Sequence, residues 1–465
     1  MSSPRKKFLW SFLENRQNIL VQFSVSNNMQ HRILIRDLPA KLGETVIVAG
    51  WLHRLRDLSK FGFAILRDRT GLVQVVLSTE QLESLKGFQV ETVLKVTGEV
   101  VKKQSKDPNA NEVEIQAMSV EILSPVKDVV PVEINKEEVD VQLDTLLDNR
   151  VVTLRHPKQR AIFRVQAALV HGFRSFMESQ GFTEIFFPVL AGAASEGGAE
   201  FFRVDYYGRE ATLTQSAQLY KQITMGVYEG VYGVSYSFRA EKFATSRHLT
   251  EFNQLEFEVG FVDDMEDVMA YGESATRAML AEVAMSCVPE LELLGVTLPP
   301  LGDRFPRVKL KEALEIYKAG TGIDETQEPD LSPAAEKWLS TQWAPKEHGT
   351  GFVFVTHYPE SKRPFYVALD PEDPTSTLSF DLIGFGSEIV SGGMRINRYD
   401  EQIARIKAKG LKPEEFEDYL MMHKYGIPPE GGWGMGLQRL TQNVLGLANI
   451  KEATIFPRDV QRLRP

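Results

Sequence analysis

The chain has 465 residues and a single cysteine, Cys287. One thiol excludes a disulfide framework and a cysteine-based zinc site, and leaves Cys287 the part of a small buried hydrophobe. A membrane-spanning apolar run is also missing. Near the N-terminus Arg5, Lys6 and Lys7 precede Phe8-Leu9-Trp10-Ser11-Phe12-Leu13, but the run stops at Glu14-Asn15-Arg16, short of a secretory core or a membrane span. Residues 1–28 therefore read as a loose extension, or as translation upstream of a start at Met29. A soluble cytoplasmic body with no membrane partner is expected to follow. Positive charge is not in excess either: the net charge is −10. That excludes a polyelectrolyte whose nucleic-acid affinity rests on bulk basic charge, so any such partner is bound through local patches and shape. Repeats and low-complexity tracts are absent.

What is present is ordinary globular composition, 43% apolar and 25% charged, in a chain long enough for two or more domains. Residues 32–124 read as short strands. Val46 to Trp51, Phe61 to Leu66, Leu72 to Leu77 and Thr92 to Val96 are rich in β-branched and aromatic residues, with Asp68-Arg69-Thr70-Gly71 as a turn. Five or so strands in this span suit a small OB-type barrel, placed at 29–124. A hinge is expected at 125–155, and a larger α+β body at 156–465. The body opens on a helix from about Pro157 to Gln180, with Ile162, Val165, Ala168, Leu169, Phe173 and Met177 at helical spacing.

The chemistry concentrates between Val231 and Gly260, read as two strands joined by a loop. Alternation puts Phe252, Gln254, Glu256 and Glu258 on one face of the second strand, with Asn253, Leu255, Phe257 and Val259 behind them. Ser235, Ser237 and Arg239 share the corresponding face of the first, with Val234, Tyr236 and Phe238 behind, so the apolar faces can pack. The loop adds Arg247 and His248. Two guanidinium groups beside an aromatic plane suit a nucleoside triphosphate, with charge for the phosphates and a ring for the base. A solvated sheet face is the bland alternative for the strands taken alone.

Phe238-Arg239-Ala240-Glu241 with Arg247-His248-Leu249-Thr250-Glu251-Phe252 resembles motif 2 of the class II aminoacyl-tRNA synthetases, in the aspartyl, asparaginyl and lysyl group. Gly431-Gly432-Trp433-Gly434-Met435-Gly436-Leu437-Gln438-Arg439 resembles motif 3, although the family usually has Glu at Gln438. Phe173 to Pro188 resembles motif 1, the helix, strand and proline of the dimer interface. The resemblance implies a barrel followed by a catalytic domain built on an antiparallel sheet with flanking helices, assembled as a homodimer. It implies that Arg239 holds the ATP α-phosphate and the substrate carboxylate, that Arg247, His248 and Arg439 reach the outer phosphates, and that Phe252 stacks on adenine. Ala240, Glu241, Leu249, Gly436, Leu437 and Gln438 would complete the ATP site, and Asp381 with Glu388 would bind Mg²⁺.

Gln215-Ser216-Ala217-Gln218-Leu219-Tyr220-Lys221-Gln222 resembles the aspartyl members, with Ala217 in place of a proline. By that resemblance Lys221 and Arg395 clamp the side-chain carboxylate of L-aspartate. Ser216, Gln218, Leu219, Tyr220, Arg239, Glu256 and Ser391 would line the amino-acid site, and Glu196 would take the α-amino group. Glu256 stands where the aspartyl family usually has Asp and the asparaginyl family Glu, and Met394 replaces a common Gln. An asparaginyl or amide-forming paralogue therefore stays open, as does a non-catalytic tRNA-binding descendant. In the barrel Phe63, Gln74 and Arg56 match positions that read the anticodon, and His53 resembles a marker of relaxed enzymes that also charge tRNA(Asn) beside tRNA(Asp), whereas Val90 stands where such enzymes tend to have Pro. The stretch between motifs 2 and 3 leaves no room for the extra domain of typical bacterial aspartyl enzymes, which implies the archaeal and eukaryotic type.

Overall fold

The computed structural model describes residues 32–58, 61–103, 113–192, 200–242 and 245–465. The extension at 1–28 and Glu196 lie outside them. Two compact units emerge, one ending at Glu137 and one running from Glu138 to Pro465.

In the first unit β1 (Thr45–Asp57), β2 (Gly62–Arg67), β3 (Leu72–Leu77), β4 (Val93–Lys102) and β5 (Val113–Ser124) close a barrel in the order β1-β2-β3-β5-β4. Closure removes the unpaired edges that an open sheet would present. Val46, Val48, Ala64, Leu66, Val73, Val75, Leu94, Val96 and Ile115 point inward, on the alternation expected of half-buried strands. The turn at Asp68 forms because its carboxylate accepts from Thr70 and Gly71 backbone N–H groups at 2.6 and 3.1 Å. Helix α1 (Thr79–Leu85) is started by a reciprocal Ser78/Gln81 capping box. β1 and β4 run several residues beyond the expected spans, β1 by way of a bulge between Leu52 and Arg54.

The second unit contains an eight-stranded sheet that runs from β12 (Arg307–Lys309) and β13 (Phe352–Thr356) at one edge through β14-β15-β16-β11-β10 to β6 at the other, antiparallel except at its two edge pairs. The strands that matter below are β6 (Thr183–Glu184), β10 (Gly230–Phe238), β11 (Glu251–Gly260), β14 (Ser379–Gly384), β15 (Ser387–Met394) and β16 (Glu430–Gly436). A separate three-stranded sheet contains Leu190–Ala191, Arg203–Tyr206 and Arg209–Leu213. Helix α2 (Pro157–Ser179) matches its expected span to within a residue, and all six expected core residues are buried. It packs with α3 (Met265–Ser286) on one face of the sheet, over Leu255, Phe257, Trp433 and Met435. Cys287 is buried in this same core.

Two sequence expectations differ from the structure. The segment expected to be hinge as far as 155 belongs in its later part to the second unit. Arg150 is fully buried there and donates to the backbone carbonyls of Glu452, Thr454 and Ile455. The apolar back of β10 packs only in part, because Tyr236 is 51% exposed. The outer neighbour β6 pairs with Val231 and Tyr232, at the start of β10, and among the described residues no strand pairs with the outer edge of β10 beyond them.

Candidate functional site

The polar face of β11, opposite that core, floors a cavity of about 960 Å³, within the range that buries a substrate-sized ligand. The floor is reached from β11 by Phe252, Gln254 and Glu256, from β15 by Glu388 and Ser391, and from β16 by Gly434 and Gly436. β16 lies against β11 closely enough that a Cβ on Gly432 would sit 2.2 Å from the Glu258 carboxylate. Only glycine permits that approach.

One end of the cavity is cationic. Arg239, Arg247, His248 and Arg439 line it together. The Arg239 guanidinium lies 5.4 Å from the centre of the Phe252 ring, and its buried Nε finds no partner among the described residues. Thr245 Oγ1 lies 2.6 Å from His248 Nδ1 and accepts from the Arg247 amide, shaping the loop between the strands. Burial lowers the His248 pKa, opposed by Glu241 and reinforced by Arg439, Arg239 and Arg247, which favours the neutral imidazole. Arg439 projects from the first turn of α4 (Leu437–Leu445), whose other side buries Leu437, Leu440, Val444 and Leu445. Gln438 makes a reciprocal pair: its Oε1 accepts from the Asn253 amide at 2.8 Å and its Nε2 donates to Asn253 Oδ1 at 2.9 Å. The departure at Gln438 therefore gives a matched amide pair rather than a weakened contact.

The β14–β15 hairpin supplies two carboxylates. Asp381 Oδ2 accepts from Arg363 at 2.7 Å, while its buried Oδ1 finds no partner among the described residues. Glu388 faces the cavity with Arg439 loosely beside it at 3.9 Å. Its carboxyl is pushed up to about 7 by burial and then by Asp381. Among the described residues no cluster of three or more His, Cys, Asp or Glu is poised to hold a metal ion. A two-carboxylate oxygen set with one orphaned atom fits a hard cation that keeps waters and shares substrate oxygens, as Mg²⁺ does.

The other end is a buried charge cluster. Lys221 is nearly inaccessible, and its ammonium lies 3.0 Å from Glu256, 3.2 Å from Glu258, 3.0 Å from the Trp433 carbonyl and 3.3 Å from the Phe257 carbonyl. An ammonium has three donors, so these four acceptors saturate Lys221. Arg395 donates to both oxygens of Glu258 at 2.6 and 3.2 Å and to Gln218 at 3.4 Å. Gln218 and Lys221 enter from α5 (Gln218–Tyr228), whose inward residues are Gln218, Lys221, Gln222 and Met225. That spacing turns Leu219 and Tyr220 elsewhere. Leu219 packs against the cluster that includes Phe365, Phe416 and Tyr419, and Tyr220 is half-buried and outside the cavity lining. Both were expected in the amino-acid site and neither is in the cavity lining, nor is Arg395, which meets that lining through Gln218. Ala240 donates its backbone amide to the Glu200 carbonyl and is likewise not in the lining.

Sequence reasoning passed over Glu258, which holds both cations of the expected clamp. It also passed over Arg363, which spans Asp381 and Ser391. Glu258 was on the right face of β11, whereas Arg363 sits in an irregular stretch with no periodic signal.

In the barrel, Arg56 and Phe63 are register partners on the outer face of β1 and β2. Gln74 is on the outer face of the neighbouring β3 and donates to Glu114 at 2.7 Å. Phe63 is half-buried and meets Phe61 edge-on, outside the barrel core. His53 falls in the β1 bulge, buried, with Arg67 at 3.3 Å and Glu91 accepting from that same arginine at 2.7 Å.

Residues 142–460 match the family of tRNA synthetases class II (D, K and N), and residues 46–123 match the OB-fold nucleic acid binding domain. The chain is 47% identical over 434 residues to the aspartate–tRNA(Asp/Asn) ligase of Thermus thermophilus, covering 93% of this chain and 100% of that protein. It is 39% identical over 426 residues to the aspartate–tRNA(Asp) ligase of Picrophilus torridus, covering 91% and 97%. Among solved structures it superposes on asparaginyl-tRNA synthetase from Pyrococcus horikoshii complexed with asparaginyl-adenylate, with a TM-score of 0.85, 32% identity and coverage of 94% and 100%. The aspartyl tRNA synthetase from Entamoeba histolytica gives a TM-score of 0.84 at 28% identity, covering 96% and 95%. With two family matches on its two units and relatives matched along nearly their whole length, the chain belongs to the class II tRNA synthetases of the aspartate, lysine and asparagine group.

Proposed function

We propose that the chain is an aspartate–tRNA ligase, which joins L-aspartate to tRNA at the expense of ATP. The observation that carries this reading is a pair of buried cations at an arginine-lined cavity: Lys221 in its wall, and Arg395 behind it, joined to the wall through Gln218. In the first step an oxygen of the aspartate α-carboxylate attacks the α-phosphorus of ATP. The bond to pyrophosphate breaks, and aspartyl-adenylate forms. In the second, the terminal ribose 3′-hydroxyl of tRNA takes the aspartyl group and AMP leaves. Arg239 spans the α-phosphate and the attacking carboxylate, Arg247 and Arg439 hold the outer phosphates, and Phe252 carries the adenine. The protein acts by positioning and electrostatics, with no nucleophile of its own. Asp381 and Glu388 are the residues that would hold Mg²⁺, which offsets phosphate charge when bound.

The helix-to-proline segment Phe173–Pro188, with Phe186 86% exposed, supports a homodimer. The outer face bearing Arg56, Phe63 and Gln74 supports anticodon binding by the barrel, since stacking beside basic groups is how such barrels hold single strands. Relaxed use of both tRNA(Asp) and tRNA(Asn) is supported by the names of relatives such as the Thermus protein. His53 lends this less weight, because its ring is buried and engaged by Arg67.

The test is ATP–pyrophosphate exchange with aspartate and asparagine in parallel, then charging of both tRNAs. We expect exchange with aspartate, and a loss of about a hundredfold or more in Arg239→Ala. Exchange that prefers asparagine would transfer the assignment to the asparaginyl branch.

A further inference from the structure

We propose that Glu430 and Gln222 are positioning residues that hold the Gln218–Arg395 edge of the pocket in register for an anionic substrate side chain. The inference rests on the assignment of Lys221 and Arg395 to the aspartate carboxylate. Neither residue lines the cavity; they act one layer behind it.

The connection is continuous and buried. Glu430 opens β16 and is fully inaccessible. Its Oε1 accepts from Gln222 Nε2 at 2.8 Å, and its Oε2 finds no partner among the described residues. Gln222 Oε1 in turn accepts from Gln218 Nε2 at 3.0 Å and from the Tyr419 hydroxyl at 3.3 Å. With its amide nitrogen committed to Gln222, Gln218 presents its oxygen to Arg395, which donates to it at 3.4 Å. The Arg395 backbone amide also donates to the Glu430 carbonyl at 2.9 Å, so strand and side chain are tied at the same place. If Gln222 turned, Gln218 would be free to flip its amide and set two donors against the guanidinium.

Charge counting fixes the state in which this works. The groups that face Glu430 are Lys221 from α5, Glu258 from β11, Arg395 beyond β15 and the Tyr419 hydroxyl from α6 (Glu417–Tyr425). Two cations already balance Glu256 and Glu258. An ionised Glu430 would leave a buried negative charge with a single hydrogen bond, and would repel the carboxylate the pocket has to admit. Burial, followed by Glu258, drives the Glu430 pKa well above its ordinary value, in agreement with the count. Glu430 therefore serves as a neutral acceptor for Gln222, a part that an amide can also play.

The experiment measures exchange kinetics on the full chain. Wild-type exchange that does not prefer aspartate would overturn the functional reading alone. Given that preference, Gln222→Leu and the more conservative Gln222→Asn are expected to raise KM for aspartate at least fivefold and to lower the preference for aspartate over asparagine. KM for ATP should stay within twofold. Glu430→Leu should show the same pattern, and Glu430→Gln should recover most of that loss. The inference is overturned if both Gln222 variants leave KM for aspartate changed less than fivefold. It is equally overturned if KM for ATP rises alongside it, as general loosening of the fold would produce, or if Glu430→Gln is as impaired as Glu430→Leu.

Discussion

Lys221 is the residue at which sequence and structure teach different things. Its place in Gln218-Leu219-Tyr220-Lys221 pointed to substrate binding, and alternation along β11 put Glu256 and Glu258 beside the site. Neither signal could give the four acceptors that surround the ammonium, because two of them are backbone carbonyls from β11 and β16. Lys221→Met would strand Glu256 and Glu258, both almost wholly inaccessible, against a methyl group. Removing one partner of a buried ion cluster costs about 3–5 kcal/mol, so this variant should melt well below wild type. Adding Glu256→Gln to Lys221→Met should return part of that loss, a non-additivity that a double-mutant cycle measured by thermal unfolding would read. Strict additivity would mean that the two side chains do not interact.

At the scale of elements, the strands were legible wherever a period of two divided apolar from polar residues, as in β2, β3, β10 and β11. Helix α2 was legible from its apolar stripe, and α4 likewise. The site elements without such a period were not. One is the short helix Pro333–Trp338, which lies against β14 and β15. It places Glu336 near the Asp381/Glu388 pair, with its carboxyl pushed up to about 7 by burial and then by Glu388. The unfolded chain releases that proton near 4.5, the ordinary value, and the folded chain only near 7. Between those values the folded state binds the extra proton, so the Glu336 contribution to stability falls as pH rises through the window and then levels off. Glu336→Gln removes this contribution. In metal-free protein the Tm difference between Glu336→Gln and wild type should therefore grow in favour of the variant from about pH 5 to pH 7.5. A difference that stays flat would place Glu336 away from the carboxylate pair.

For the whole molecule, two units with separate cores divide the labour by chemistry. On the proposed function, activation of the amino acid draws on the cavity of the second unit, and charging of tRNA draws on the barrel as well. Phe63→Ala removes one aromatic platform from the barrel, and such platforms are worth about 1–3 kcal/mol per base. It should lower kcat/KM for tRNA by about tenfold or more, and far more than it lowers pyrophosphate exchange. Equal losses in both assays would place Phe63 in the stability of the chain instead of in tRNA binding. The barrel was legible as a barrel from composition and turns, whereas Phe63 was singled out by the family resemblance alone; its outward placement comes from the structure, where it alternates with buried Ala64 and Leu66. The burial of His53 was not legible, because a bulge breaks the parity on which such a reading depends.

The saturated ammonium of Lys221 has one more implication. On the proposed function, a site whose cations are already paired contains its own competitor, since Glu256 and Glu258 hold the donors that an incoming carboxylate must share. A ligand then gains only the difference between its contacts and those it displaces. Such a pocket selects sharply for charge and yet grips weakly, which suits an intermediate that has to be handed on rather than kept.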